Sequence, residues 1–465
     1  MRPMLKGALR RSWRDRESVQ FGVDPERAVV LEPVDGPAAG FLGLLDGTRS
    51  AAALTREAGA LGLGPERVRR LLGLLAQGGV LDDAAAHADL SGSLRHRTEV
   101  LDRLRPDLAA LSVVHPGPGG AAARIRHRGA SRVRVLGAGR VGAALAAVLA
   151  AAGVGAVDVV DGGRVEPWDV GPAGFPAEQI GERRDAAGRG AVRRAAPGRR
   201  PSAPRGPGRA GPPGGVVTVI APRDGLLAYA PDVAEARRLV ESGVPHLYAG
   251  VLEGTGLVGP LVLPGRTACG ECLGLALADR DPAWPRMLAQ LRSGRQPTVP
   301  ACDIALATTV AGLAAAHVLA HLDGRVPPTA GARMELSLGR LSTGLRPLPA
   351  HERCGCGAEA DGTETGKTGV IGSLADGSGA SGSGADGAGA GDGGVPAGRR
   401  QEAGGPGRAP ERVGRPGTVR VPAADGCGRR PTGPGPAPGP GSGPGAAAPD
   451  ARSGHARAGG GTMAM

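Results

Sequence analysis

The sequence predicts an α/β protein built on a Rossmann-like, doubly wound, mainly parallel sheet, with a small winged-helix-like α+β module before it and a disordered tail after it. Three observations carry this expectation. A glycine-rich loop stands between an apolar strand and an alanine-rich helix, two tight cysteine pairs lie far apart in the chain, and apolar content collapses after Gly357.

The loop defines the central unit. Val133, Val135 and Leu136 predict a strand, Gly137-Ala138-Gly139-Arg140-Val141-Gly142 follows at once, Ala143 to Ala152 reads as a helix, and Val157 to Val160 forms the next strand. Further strands are expected at Val216 to Ile220, His246 to Val251 and Leu257 to Leu263. The nucleotide-binding domain is therefore drawn over 131–356, interrupted by a flexible Arg/Pro/Gly insertion at 188–215. Before it, 1–90 carries two short strands around Asp24-Pro25, helical spacing of Val68, Leu71, Leu72 and Leu75, and a closing wing strand at Val80-Leu81. Residues 91–130 read as a linker with a break at Pro116 to Gly120, and 357–465 as low-complexity tail.

Composition narrows the function classes. The 465 residues hold 83 Gly and 42 Pro against only 3 Trp, 2 Tyr and 3 Phe, so any core is built from Leu, Val, Ile and Ala. The net charge of +12 argues for polyanions, yet many arginines sit in the Pro/Gly-rich stretch from Arg183 to Arg209 and in the tail, without aromatic platforms; no specific nucleic-acid site is expected. Met1 to Arg16 lacks an apolar run of signal-peptide type. The apolar stretch Ile304 to Leu322 carries His317 and His321 and reads as a buried helix, not a membrane span, so the expected location is cytoplasmic. The two histidines share one helical face, where packing is the better reading.

Chemistry concentrates at two places. In a strand–loop–helix context the GxGxxG glycines allow a tight turn and let backbone N–H groups approach a phosphate at a helix N-terminus, and Asp161 ends the next strand where a carboxylate can accept ribose hydroxyls. This pattern alone does not separate NAD from ATP. Cys269-Gly-Glu-Cys272 and Cys354-Gly-Cys356 can surround Zn²⁺ with four thiolates, a closed and hence structural site, with His351 as a substitute ligand. Cys302 precedes an apolar helix whose dipole would acidify a nucleophilic thiol; the alternative is a small buried hydrophobe. Cys427 is isolated and has no assigned role.

From about Arg132 to Cys356 these pieces stand in an order that resembles the ThiF/MoeB family, relatives of the ubiquitin-activating enzymes. "VRVLGAGRVGAALAAVLAAAGVGAVDVVD" looks like the family's nucleotide-binding opening, and "VPHLYAGVLEGTGLVGPLVLPGRTACGEC" followed much later by "CGC" is similar to its zinc pairs. The resemblance implies that Mg²⁺-ATP adenylates the C-terminal carboxylate of a precursor peptide or ubiquitin-like carrier protein, in a homodimer. It implies that Asp161 holds the ribose, Asp224 in "VIAPRD" binds Mg²⁺, Arg184 in "IGERRDAA" takes a phosphate-contacting lysine's place, and Asp169 in "VEPWDV" replaces a usual Asn. The family's nearby arginine is absent; Gly171-Pro172-Ala173 stands there. The start of the chain resembles PqqD-like peptide-recognition domains. An alternative function follows from these two features, a non-catalytic scaffold that presents a precursor peptide to a separate modifying enzyme. An NAD(P)-dependent oxidoreductase ranks last, since it leaves the cysteine pairs unexplained.

Overall fold

A computed structural model describes residues 1–93, 98–196, 215–294 and 299–359, together with the backbone of Gly417–Arg420. The N-terminal module holds β1 (Pro3–Leu5), β2 (Arg11–Trp13), β3 (Val19–Phe21), β4 (Val29–Glu32), α1 (Gly36–Leu44), α2 (Ala51–Ala60), α3 (Pro65–Gln77) and β5 (Leu81–Asp83). β2, β3 and β4 form an antiparallel meander. Helix α3 follows the predicted spacing, with Pro65 in its first turn and Val68, Leu71 and Leu75 buried against Phe21, Leu31 and Phe41. The expected wing strand is present as β5, but it pairs with β1 and not with the meander. Three-residue strands are too short to show a period, so β1 was hidden inside the basic N-terminus.

The described part of 91–130, expected as a linker, is mainly helical. α4 (Ala84–Ser93), α5 (Thr98–Val114) and α6 (Gly120–Ala130) bury Leu90, Leu104, Leu108, Leu111 and Ile125 as a core of their own. Leu104, Leu108 and Leu111 repeat at helical spacing, and Pro116 to Gly120 forms only the turn, with Gly119 at φ +74°. Lys6 ties module and helices together, its ammonium donating to the Ser112 and Pro116 carbonyls at 2.7 Å each, while Asp82 accepts from the Gly119 amide at 2.8 Å.

The main sheet is built from β6 (Arg132–Leu136), β7 (Ala156–Val160), β8 (Val216–Ile220), β9 (His246–Leu252), β10 (Thr255–Val262), β11 (Ala332–Ser337) and β12 (Ser342–Pro347). Its order is β12-β11-β10-β9-β8-β6-β7. The four strands β7, β6, β8 and β9 run parallel, and antiparallel pairings carry the sheet on to β12. Around it lie α7 (Arg140–Ala151), α8 (Arg184–Ala195), α9 (Leu226–Tyr229), α10 (Val233–Glu241), α11 (Gly270–Arg280), α12 (Trp284–Ser293) and α13 (Ile304–Leu322).

The apolar 19-residue helix α13 has the length and composition to cross a membrane, but here it packs on α7 and β9, with Leu306, Val310, Ala314 and Val318 buried. His317 is likewise buried and bonded to the Thr329 hydroxyl at 2.7 Å, a packing role. The first part of the expected 188–215 insertion is the second half of α8, whose Ala187, Gly188, Gly190 and Ala191 are small enough for close packing; the remainder, 197–214, lies outside the described residues. Of the expected tail, 360–416 and 421–465 (with Cys427) also lie outside them. Gly417–Arg420 departs from that expectation, forming a strand, β13, that pairs in parallel with β4.

Candidate functional site

The chain leaves β6 for β7 on one side and returns to β8 on the other, so the C-terminal ends of β6 and β8 form a topological switch point, where open α/β sheets bind ligands. The glycine loop leaves β6 there, and Pro222-Arg223-Asp224 leaves β8. The two turns touch. A Cβ on Gly137 (φ +100°) would come 2.1 Å from the Ala221 carbonyl oxygen, and one on Gly142 would meet the Gly137 carbonyl at 2.1 Å. Gly137 and Gly142 are therefore required by backbone approach alone. Gly139 begins α7 with no capping side chain, which leaves the first amides of that helix to a ligand. Asp161, at the end of β7, accepts from the amides of Ala138 and Gly163 at 2.8 Å each and so braces the loop.

Three arginines converge beside it. Arg184 donates to Asp161 at 3.0 Å and to Asp169 at 3.4 Å, and Arg223 donates to Asp169 at 2.9 Å. Arg140, from the loop itself, donates to the carbonyls of Trp168 and Cys302. Asp169 is only 2 % exposed, held by these cations and by the Glu166 amide. Arg223 also lies over the Trp168 ring, 5.6 Å from its centroid. Two buried donors here, Arg223 Nη2 and Trp168 Nε1, have no hydrogen-bond partner. An orphaned guanidinium nitrogen beside an uncapped helix start suits an anionic group. Burial pushes the Cys302 thiol up against the opposing pull of the Arg140 guanidinium, and Asp303, which caps α13 through the Ala305 and Leu306 amides, adds negative charge.

Beyond the Arg223-Asp224 turn opens a groove of about 1010 Å³. Trp284, Met287, Leu291 and Val299 supply an apolar wall, and Arg333 and Glu335 a charged floor. Arg333 is held by Glu335 at 2.7 Å and by the Tyr229 ring, 4.7 Å away. Asp224 lines this groove and accepts from the Leu226 amide at 3.1 Å. A small hollow of about 10 Å³ against Gly139, Arg140 and Asp169 adjoins it, since Val251 and Pro300 line both.

Next to this groove, at the start of α11, the four cysteines meet. Sγ separations are 3.9 Å for Cys269–Cys272, 3.6 Å for Cys269–Cys354 and 3.7 Å for Cys272–Cys356, with all four sulfurs inside 4.8 Å. Zinc–sulfur bonds of about 2.3 Å place tetrahedral sulfurs about 3.8 Å apart, so the cluster has the dimensions of a zinc tetrathiolate. Hydrogen bonding among the crowded sulfurs drives Cys272 down and Cys269 up. His351 is not a ligand: its ring is bonded to Asp279 at 2.8 Å, and only its amide approaches Cys272. Such a site binds the segment after β12 to the start of α11.

The ThiF family model matches residues 121–358, just over half of the chain. The chain belongs to the ThiF family. Among solved structures it is similar to Escherichia coli MccB with MccA-N7isoASN (13% identity, TM-score 0.57, covering 77% of this chain and 100% of that one). It is also similar to MccB with ATP (13%, TM-score 0.53, 77% and 99%) and to the microcin C7 biosynthetic enzyme MccB with N-formylated MccA (13%, TM-score 0.54, 77% and 100%). At these identities the likeness is one of fold. No curated protein matches the chain.

Within this ThiF fold the structure brings Gly137, Gly139, Gly142, Asp161, Asp169 and Arg184 to one place, sets Asp224 in the lining of the groove next to Arg223, and places Cys302 in the lining of the hollow, its carbonyl accepting from Arg140. Sequence reasoning missed Arg140, Arg223, Trp168 and the groove. Arg140 occupies a variable position of the glycine motif and Arg223 adjoins Asp224, so both were visible as cations next to predicted site residues; their direction was not.

Proposed function

We propose that this ThiF-family chain activates the C-terminal carboxylate of a peptide or ubiquitin-like carrier protein by adenylation. The observation that carries the reading is the meeting of glycine-loop hollow and groove across Arg223-Asp224, which would set a carboxylate against a nucleotide phosphate. A carboxylate oxygen attacks the α-phosphorus of ATP, an O–P bond forms, the α–β phosphoanhydride bond breaks, and pyrophosphate leaves. Positioning and fixed countercharge supply the rate. The loop amides and Arg184 would hold the phosphates, Asp161 the ribose, and Asp224 would supply the carboxylate for Mg²⁺. Arg223 and Arg140 stand in for the arginine missing near Asp169. Cys302 receives no step, because its thiol is raised. The four cysteines would hold Zn²⁺, which supplies cross-linking and no chemistry.

ATP–pyrophosphate exchange with the cognate peptide tests this; exchange is expected, and Asp224→Ala is expected to abolish it. One observation favours a second reading, a scaffold that binds a precursor peptide for a separate modifying enzyme: Arg184 and Arg223 already close on Asp161 and Asp169, and the hollow is about 10 Å³. Peptide binding without exchange would leave only the scaffold. In either reading the N-terminal module is the candidate peptide-recognition part. The exposed small residues Ala305, Thr308, Thr309 and Gly312 of α13 offer a face for a homodimer, which a monomeric mass in light scattering would exclude.

A further inference from the structure

We infer that the outer edge of β4 is a strand-accepting site whose resident occupant is the chain's own segment Gly417–Arg420, which an incoming peptide has to displace. β4 is paired on one side by β3, so its other side would present a row of backbone donors and acceptors. β13 takes that side in parallel, in a register running from Gly417 opposite Val29 to Arg420 opposite Glu32. The backbone bonds of such an added strand are independent of sequence, and that edge is therefore open in principle to any extended peptide.

Why this segment occupies it can be read from the sequence. Thr418-Val419-Arg420-Val421 is a β-favouring run within a Gly/Pro/Ala-rich stretch, and Pro416 and Pro422 bound it to strand length. Charge agrees. The register sets a basic residue opposite Glu32, and a cavity of about 640 Å³ at that end of β4 is lined by Asp15, Glu17 and Glu32 against one cation, Arg16. The same chemistry defines the competitor as an extended, basic peptide rich in β-branched residues. Because the segment is covalently attached, its pairing is intramolecular and weak intrinsic affinity suffices. The device is a self-competing strand on a module separate from the nucleotide loop, so it holds whether or not the chain adenylates.

The test uses the full chain and a fluorescent synthetic peptide of residues 411–422. Neighbouring residues of a strand point their amides to opposite sides, so Thr418→Pro and Val419→Pro together remove one of the two N–H groups that face β4, in either phase. Far-ultraviolet circular dichroism of the substituted chain, expected to match the native spectrum, checks that the module stays folded. If the resident strand closes the edge about nine-tenths of the time, the doubly substituted chain binds the probe about tenfold more tightly than the native chain. Amides of 29–32 also exchange faster in that chain before probe is added. Equal affinity in the two chains, no binding to either, or unchanged exchange at β4 would each overturn the proposal.

Discussion

Losing the four-sulfur clamp should cost stability in proportion to the chain it closes. Cys269 and Cys354 are 85 residues apart in sequence, and their sulfurs lie 3.6 Å apart. In a chain-entropy treatment, a cross-link over a loop of that length restricts the unfolded state by about 4.5 kcal/mol at 25 °C. Cys354→Ser removes one thiolate and releases the segment after β12 from α11. Trp284 packs in the same cluster as these cysteines, so its fluorescence reports the event. With a urea slope near 3 kcal/mol/M, the unfolding midpoint should fall by up to about 1.5 M. Zinc, measured by metal analysis, should fall from one per chain to substoichiometric. Cys302→Ser, which touches no sulfur of the cluster, should change neither quantity. A chelator-treated chain that is free of zinc and unfolds at the native midpoint would refute the reasoning.

Four further outcomes follow from the geometry. Arg223→Ala removes a cation from Asp169 and an orphaned donor from the loop, and should lower ATP–pyrophosphate exchange by about 10²–10³-fold, with partial recovery in Arg223→Lys. Asp323→Ala strips the Arg128 guanidinium, 6 % exposed and bonded at 2.6 and 2.9 Å, of its two-point carboxylate partner at the end of α13, leaving it Asp107 at 3.8 Å and the Ala152 carbonyl. Denaturant titration should register a loss of about 3–5 kcal/mol, largely restored by Arg128→Met with Asp323→Leu. The hydrogen bond to Asp82 raises His87 above the usual imidazole value, so its stabilisation is full below about pH 6.5 and fades as pH rises through the raised value. Midpoints at pH 6 and pH 8 should therefore differ more in the native chain than in His87→Gln. Gly142→Ala drives a Cβ into the Gly137 carbonyl at 2.1 Å and should destabilise the loop even without nucleotide, read as faster hydrogen exchange over 137–142.

What the sequence determined by itself was local or strictly patterned. The strand, glycine turn and helix from Val133 to Ala151 follow from apolar periodicity and a tight turn. The four cysteines announce themselves by spacing, because few other uses require two close thiol pairs. Elements without such a pattern stayed hidden: the three-residue β1, the exposed strand β12, and the helices of 98–130, whose Pro and Gly turn resembles a linker when its packing partner is unknown. Only the tertiary structure decided where charge goes. Arg223 reaches Asp169 across 54 residues, Arg140 reaches the Cys302 carbonyl across 162, and the groove beside Asp224 is assembled from segments as distant as Leu226 and Pro349. An arginine's long side chain gives no sign in sequence of its direction. That direction is set by which buried carboxylate and which orphaned carbonyl the fold leaves for it to satisfy.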